Sequence, residues 1–450
     1  MKNRSSKLLR IEFLFFFAVY LSPPCIGQSA LDSSMVHCAT DEAEQLRIQR
    51  SSSYQLDRQR TEQSIQNYIR QRRSAFRTAA DEIIRLPVVV HIIHNQADGK
   101  IGGAGNTNIS DEQIRSQITV LNEDYRKKDG TNGFNSNPVG IDTQIEFELA
   151  QYDPDGHKVD GITRNYSKTT SFSAFADDQV LADIVSWPTD KYLNIWVCPL
   201  SSGYLGVSQL PSTTEVAGLD NSKRDEAKSD GVIIDYKVFG SAQHLSGTHA
   251  ITSTTYNYGR TTTHEVGHWL GLLHTWGTVD NVCGTDYCDD TPQARAGNLT
   301  FTCDPRTVRC SGVTSQVMIE NYMDYSPDVC MNIFTKNQLD RMRAVLAVSP
   351  RRIALIKASK EGRLESSDNL TLELYPNPAS MELYANVRFS DFQSFTLAVY
   401  DQKGILQSSQ SFKDVWSRKV PIVTDRLIPG LYICKVSIGK ETLSKRFVIN

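Results

Sequence analysis

The stretch THEVGHWLGLLH, from Thr263 to His274, constrains the fold of this chain more than any other. Val266, Trp269, Leu270, Leu272 and Leu273 recur at close to helical spacing, so the segment reads as a helix with an apolar face. His264 and His268 are four residues apart and share one side of that helix. Gly271 offers a place for the chain to leave the helix, and His274 follows three residues later. Three of the nine histidines thus fall within eleven residues. A fold that accepts this pattern brings a helix, its C-terminal break and the next loop to one point. Three neutral imidazole nitrogens there would surround a zinc ion and leave a fourth position open. Glu265 follows the first of them and would stand beside the open position without ligating, as a general base for an attacking water. The alternative is a packed helix that holds no metal.

At 450 residues the chain is long enough for two or three domains. Its 40% hydrophobic and 22% charged content describes a globular protein, and a net charge of −3 argues against a nucleic-acid partner. Lys2, Arg4, Lys7 and Arg10 precede the apolar run IEFLFFFAVYL, and small residues follow in SPPCIGQSA. This reads as a secretory signal peptide over residues 1–27. A membrane anchor is the alternative, for which the run is short. A lipid anchor at Cys25 fits poorly with the two prolines before it. No later segment is apolar enough to span a membrane. Eight cysteines remain after residue 27, five of them between Cys283 and Cys330. In an exported chain such crowding reads as disulfides stapling an irregular loop, with a second structural metal as the weaker alternative.

Residues 28–84 are polar and rich in Arg, Gln and Ser, partly helical in pattern, with little apolar surface for a core of their own. They read as a solvated face or, next to a hydrolytic site, as a removable pro-segment. A globular region over 85–357 opens with LPVVVHIIHN, a buried strand. SDEQIRSQITVLNEDYR reads as a helix with Ser110 as N-cap of a capping box. IEFELAQY, YLNIWVCPL and DGVIIDYKV read as strands, and TKNQLDRMRAVLAV as a closing helix capped by Thr335 and stopped at Pro350. The fold class that follows is mixed α/β. After a linker over 358–368, residues 369–450 break into short alternating segments separated by turns, the pattern of a β-sandwich.

HEVGHWLGLLH resembles the metzincin signature HExxHxxGxxH, and IENYMDYSPDVCMNIFTKNQLDRM with GTDYCDDTP resembles the pappalysin branch of that family. The resemblance implies a metzincin-like zinc endopeptidase domain, with an active-site helix against a mixed sheet and peptides or proteins as substrates. It implies that Met323 forms an apolar floor beneath the ligands and that Tyr325 donates to the oxyanion of the tetrahedral intermediate. Carried over by order, it pairs Cys283 with Cys310 and Cys303 with Cys330, and leaves Cys198, Cys288 and Cys434 unassigned. Related enzymes bind calcium in this loop, where Asp286, Asp289 and Asp290 supply oxygen ligands; an acidic surface turn is the alternative. Some pappalysins prefer a basic residue after the scissile bond, and Asp328 stands near the expected position of the acid responsible, although Val329 departs from the pattern beside it. Arg70, Arg72, Arg73 and Arg77 would then be self-processing sites. Pappalysin pro-segments often begin with a Cys-containing stretch such as HCATDEAEQL, so Cys38 would occupy the open zinc position and keep the chain latent. A disulfide or a free thiol is the alternative for Cys38.

YPNPAS, VYDQKG, LIPGLY and the final KRFVIN resemble the sorting domain of the type IX secretion system, which implies that machinery as a partner and a secreted or surface-attached product; a monomer is expected. A surface adhesion protein with an inert or structural zinc domain is the competing function, and another zinc hydrolase such as an amidase a third. Glu265 separates them, since a structural site needs no base and is closed by a fourth protein ligand.

Overall fold

The computed structural model describes residues 35–72, 83–213, 227–365 and 370–450, apart from 381, 389–392, 416–417, 426 and 440. The expected signal peptide, Arg73, Arg77 and the end of the expected linker lie outside these residues. The first helices of the described residues are α1 (Thr40–Arg50) and α2 (Ser52–Arg72). As their composition requires, they build no core of their own. Ile65 and Ile69 of α2 are instead buried against Ala344 and Val345 of a helix near the end of the next domain.

That domain is a mixed sheet with helices packed on it. The long strand β1 (Ile84–His94) is an interior strand with partners on both edges, as its β-branched run, buried along most of its length, requires. Helix α3 (Asp111–Tyr125) follows, then β2 (Ile145–Leu149) and β3 (Ile162–Tyr166), which share one edge of β1, both parallel to it. A short helix α4 (Asp178–Ile184) leads to β4 (Leu193–Cys198) on the other edge of β1. The three-residue strand β5 (Gly206–Ser208) and then β6 (Gly231–Asp235) complete the order β2-β1-β4-β6-β5. β6 is parallel to β4, whereas β5 is antiparallel to β6 and forms the edge. Strands β3 and β5 and helix α4 carry little sequence signal: β5 and α4 have only three and seven residues, and ITRNY in β3 has a single aliphatic residue.

Ser110 caps α3 by accepting from the Gln113 N–H at 3.2 Å. The expected capping box stays half made: the Gln113 amide donates to the carbonyls of Phe239 and Tyr236 and accepts from the Ala250 N–H. Three tertiary bonds outcompete one local one. The helix of the histidine motif, α5 (Arg260–Trp269), is buried along its whole length against α3, β5 and β6. A loop with a small hairpin, β7 (Thr307–Cys310) and β8 (Val313–Gln316), leads to α6 (Lys336–Val348), where the box on Thr335 and Gln338 is complete. Pro350 does not end the helical region. It opens α7 (Pro350–Glu365), since a proline at the first position of a helix lacks only an N–H that would have no partner. The first part of the expected linker is therefore helical.

Arg351 and Arg352 explain why α7 belongs to this domain. Both donate to the buried Asp230 carboxylate, at 2.6–2.9 Å, and Trp269 Nε1 donates to it at 3.0 Å. The Arg352 guanidinium lies 3.6 Å from the centre of the Trp269 ring. The end of α5 is thus pinned next to His268.

The C-terminal residues form two antiparallel sheets. One has three strands, β9 (Thr371–Tyr375), β10 (Leu383–Arg388) and β13 (Arg418–Ile422). The other has four, β11 (Gln393–Asp401), β12 (Leu406–Val415), β14 (Gly430–Ile438) and β15 (Glu441–Ile449). Leu372, Val387, Leu397, Val436 and Phe447 fill the space between them as a second core. Among the described residues no helix is long and apolar enough to cross a membrane.

Candidate active site

Helix α5 stops because Gly271 takes φ +88°, a conformation that costs an L side chain energy. A Cβ at Gly271 would also lie 2.5 Å from Val345 Cγ2. The chain turns there, and His274 comes back to face His264 and His268. The three Nε2 atoms stand 3.1–3.2 Å from one another. Tetrahedral ligands about 2.0–2.1 Å from a zinc ion would be separated by about 3.3 Å.

With neutral rings, as metal binding requires, these three contacts are not hydrogen bonds, because the Nδ1 atoms hold the protons. His264 Nδ1 donates to the Tyr322 carbonyl at 2.7 Å, His268 Nδ1 to the Leu272 carbonyl at 2.8 Å and His274 Nδ1 to Asp41 Oδ2 at 2.6 Å. Every Nε2 then carries a lone pair, and three lone pairs pointing at one buried centre repel unless a cation lies between them. Burial, helped by the neighbouring imidazoles, pushes the pKa of His268 down to about 3 and that of His264 well below the usual range. Burial acts on His274 in the same sense, but the Asp41 carboxylate overrides it and raises that group. The residues fit a zinc ion.

Glu265 is fully buried beside the triad, and burial raises its pKa to about 8 against donors from Cys38 and Thr40. A cation at the triad would pull it down again. Thr40 Oγ1 donates to Glu265 Oε2 at 2.9 Å. Gly206 on β5 leaves room for this carboxylate, since a Cβ there would be 2.7 Å from Glu265 Cγ. Met323 is buried under the helix, with its sulfur 2.6 Å from where a Cβ on Gly267 would lie. The Tyr325 ring is centred 4.8 Å from His274 and 5.8 Å from His264, and Trp276 lies flat on His274 at 4.4 Å and 2°.

The polar N-terminal region runs through this site. Cys38 Sγ and the three Nε2 atoms all lie within 4.8 Å of one another. Val36 pairs in parallel with Tyr204, and the Ala39 N–H donates to the Gly206 carbonyl at 2.9 Å. His37 stacks on Tyr325 at 5.1 Å. Residues 36–41 therefore cover the β5 edge, the general-base candidate, the tyrosine and the metal position together. Reading HCATDEAEQL for its cysteine alone missed His37, Thr40 and Asp41. Their signal was their position within three residues of that cysteine.

Cys283 is bonded to Cys310 and Cys303 to Cys330, while Cys38, Cys198, Cys288 and Cys434 are free and buried. The structure does not gather Asp286, Asp289 and Asp290 as a calcium site. Asp286 accepts from Thr291 Oγ1 and the Cys288 N–H, and Asp290 from Thr335 Oγ1 and the Asn337 N–H. These oxygens serve local turns and a helix cap. Asp328 is buried at the start of α5, where Oδ2 accepts from the N–H groups of Tyr258 and Arg260. Its Oδ1 has no hydrogen-bond partner, and burial raises its pKa to about 6 although Arg260 opposes this.

Residues 174–347 match a family profile described as "Pregnancy-associated plasma protein-A", and residues 373–450 one described as "Secretion system C-terminal sorting domain". The chain is similar to a promirolysin variant from Tannerella forsythia, with 35% identity, a TM-score of 0.57, and coverage of 72% of this chain and 98% of that one. Mature mirolysin with a cleaved peptide is 37% identical over 62% of this chain and 98% of that one, with a TM-score of 0.51. An extracellular metalloprotease from Arthroderma otae is 31% identical over 239 residues, 52% of this chain and 70% of that protein.

Proposed function

Because the chain belongs to the pappalysin family of metzincin metallopeptidases and ends in a type IX secretion sorting domain, we propose that it is a secreted zinc endopeptidase made as a latent zymogen. That it is a secreted metalloendopeptidase follows from the family and the sorting domain. The identity of the metal and its ligands, the roles of the side chains and the latency are our reading.

His264, His268 and His274 would hold the zinc ion. The ion supplies Lewis-acid polarisation of a water and of the substrate carbonyl. Glu265 takes the proton of the attacking water and passes it to the leaving nitrogen; its buried carboxylate beside the triad suits both steps. Tyr325 donates to the oxyanion as the carbonyl carbon becomes tetrahedral. Met323 and Trp276 hold the ligand geometry by packing. Asp328 would receive a basic side chain after the scissile bond, a reading supported by its unpartnered Oδ1. Latency rests on Cys38 at the fourth ligand position and on Thr40 bonded to Glu265. Release of the pro-segment between Gln71 and Arg85 would uncover both.

The observation that carries this reading is the convergence of three Nε2 lone pairs beside a buried carboxylate that is no ligand. It also disfavours the adhesion protein with a structural zinc. Purified Glu265→Ala protein, freed of its pro-segment by an added protease, should keep one zinc and lose peptide hydrolysis. Near-normal turnover would remove the assigned mechanism. In uncleaved Glu265→Ala protein, X-ray absorption should show one sulfur and three nitrogens around the metal. A shell of nitrogen and oxygen alone would rule out the thiol switch.

A further inference from the structure

We infer that Asp41 is a positioning residue for the third metal-binding imidazole, so that the pro-segment helps to hold the metal as well as covering it. This rests on the metal reading of the three histidines given above.

The three imidazoles differ in what supports them. His264 and His268 donate Nδ1–H to the backbone carbonyls of Tyr322 and Leu272, at 2.7 and 2.8 Å. Both acceptors belong to the catalytic domain and stay after the pro-segment leaves. His274 Nδ1 donates to Asp41 Oδ2 at 2.6 Å, a shorter bond to a charged acceptor, from the first turn of α1. A carboxylate behind a ligating imidazole fixes its tautomer, turns its ring and makes the other nitrogen a better donor. Cys38, three residues earlier, presents its sulfur to the same centre. Loss of residues 35–72 therefore removes a ligand candidate and the carboxylate behind another ligand at once. The face of the Trp276 ring and the edge contact with Tyr325 then hold the plane of His274. Stacking sets a ring plane and leaves the tautomer free. The uncut chain accordingly binds its metal more tightly than the cut one.

The test uses the full-length chain carrying Glu265→Ala, which cannot process itself, loaded with one equivalent of zinc. The rate at which zinc passes to a chelating dye is the readout. Adding Asp41→Ala should speed release by about 10–100-fold. Asp41→Asn should fall between, because its amide oxygen still accepts from Nδ1–H without the charge. X-ray absorption of the Asp41→Ala protein should still show one sulfur, which reports a seated pro-segment. An unchanged release rate overturns the inference. Loss of the sulfur also overturns it, because Asp41 would then act by seating the pro-segment. A parent chain that takes up no zinc sinks the metal reading itself, and this inference with it.

Discussion

Glu62 and Arg341 face each other through two parallel N–H···O bonds, of 2.7 and 2.6 Å, across the seam between α2 and α6. Arg341 is buried, and its Nε donates to the Gly271 carbonyl at the helix break that returns His274 to the site. The N-terminal helices, the proposed pro-segment, are therefore tied to the framework of the candidate metal centre as well as to the centre itself.

That latch predicts a lag in activation. A single cut between Gln71 and Arg85 leaves α1 and α2 seated by Glu62, Ile65, Ile69 and the contacts of residues 36–41. Activity should trail the first cleavage seen on gels. Glu62→Ala leaves Arg341 buried without its partner and should shorten the lag by about tenfold, equivalent to about 1.4 kcal/mol, less than a fully buried pair would give because Glu62 is partly exposed. Activity rising in step with the first cut in both proteins would contradict the latch.

Substrate choice should depend on Asp328. Its free Oδ1 is an acceptor without a donor, and the Arg260 guanidinium beside it also serves Asp124. On the proposed reading, a substrate cation would be the partner that Oδ1 lacks. Peptide-library profiling of the wild type should show Arg or Lys enriched after the cut, and Asp328→Asn should weaken that preference at least ~10-fold, about 1.4 kcal/mol. A wild-type profile without basic residues at that position would end the assignment.

Acid should weaken the domain through Asp230. Burial opposes its ionisation, but the guanidiniums of Arg352 and Arg351 prevail and lower its folded pKa below the ordinary value. The unfolded chain titrates near pH ~3.9, so the stabilisation is fully present above that pH and is lost as the pH falls through the folded value. Asp230→Asn leaves two buried guanidiniums facing an amide and should cost about 3 kcal/mol at neutral pH. Denaturant unfolding of the peptidase domain should show the gap between wild type and variant narrowing from pH 6 to pH 3. A gap independent of pH would exclude the carboxylate as its cause.

The sequence by itself determined the chemistry at short range. His264 and His268 share a face because helical geometry puts residues four apart together, and Gly271 marks the break because its conformation excludes most side chains. The Thr335 cap and the alternation of the C-terminal strands are local in the same sense, and so were legible. Met323, Tyr325 and the disulfide order were readable through the family resemblance, since no local rule links them to His274.

Only the tertiary structure decided which distant groups meet. Strand β5 has three residues and no period to read, yet it forms the edge above Glu265 and makes Gly206 necessary. The capping box at Ser110 was legible but half made, because Gln113 found partners 123 to 137 residues away in sequence. Asp286 and Asp290 carry carboxylates whose oxygens the fold supplies with donors from Thr291, the Cys288 N–H, Thr335 and the Asn337 N–H, contacts that no sequence pattern announced. Asp41 and His274 are 233 residues apart, and apart from the place of Asp41 near Cys38 no sequence pattern links them. Hydrogen bonds between remote segments depend on where the backbone closes, and that follows from how the whole sheet and its helices pack.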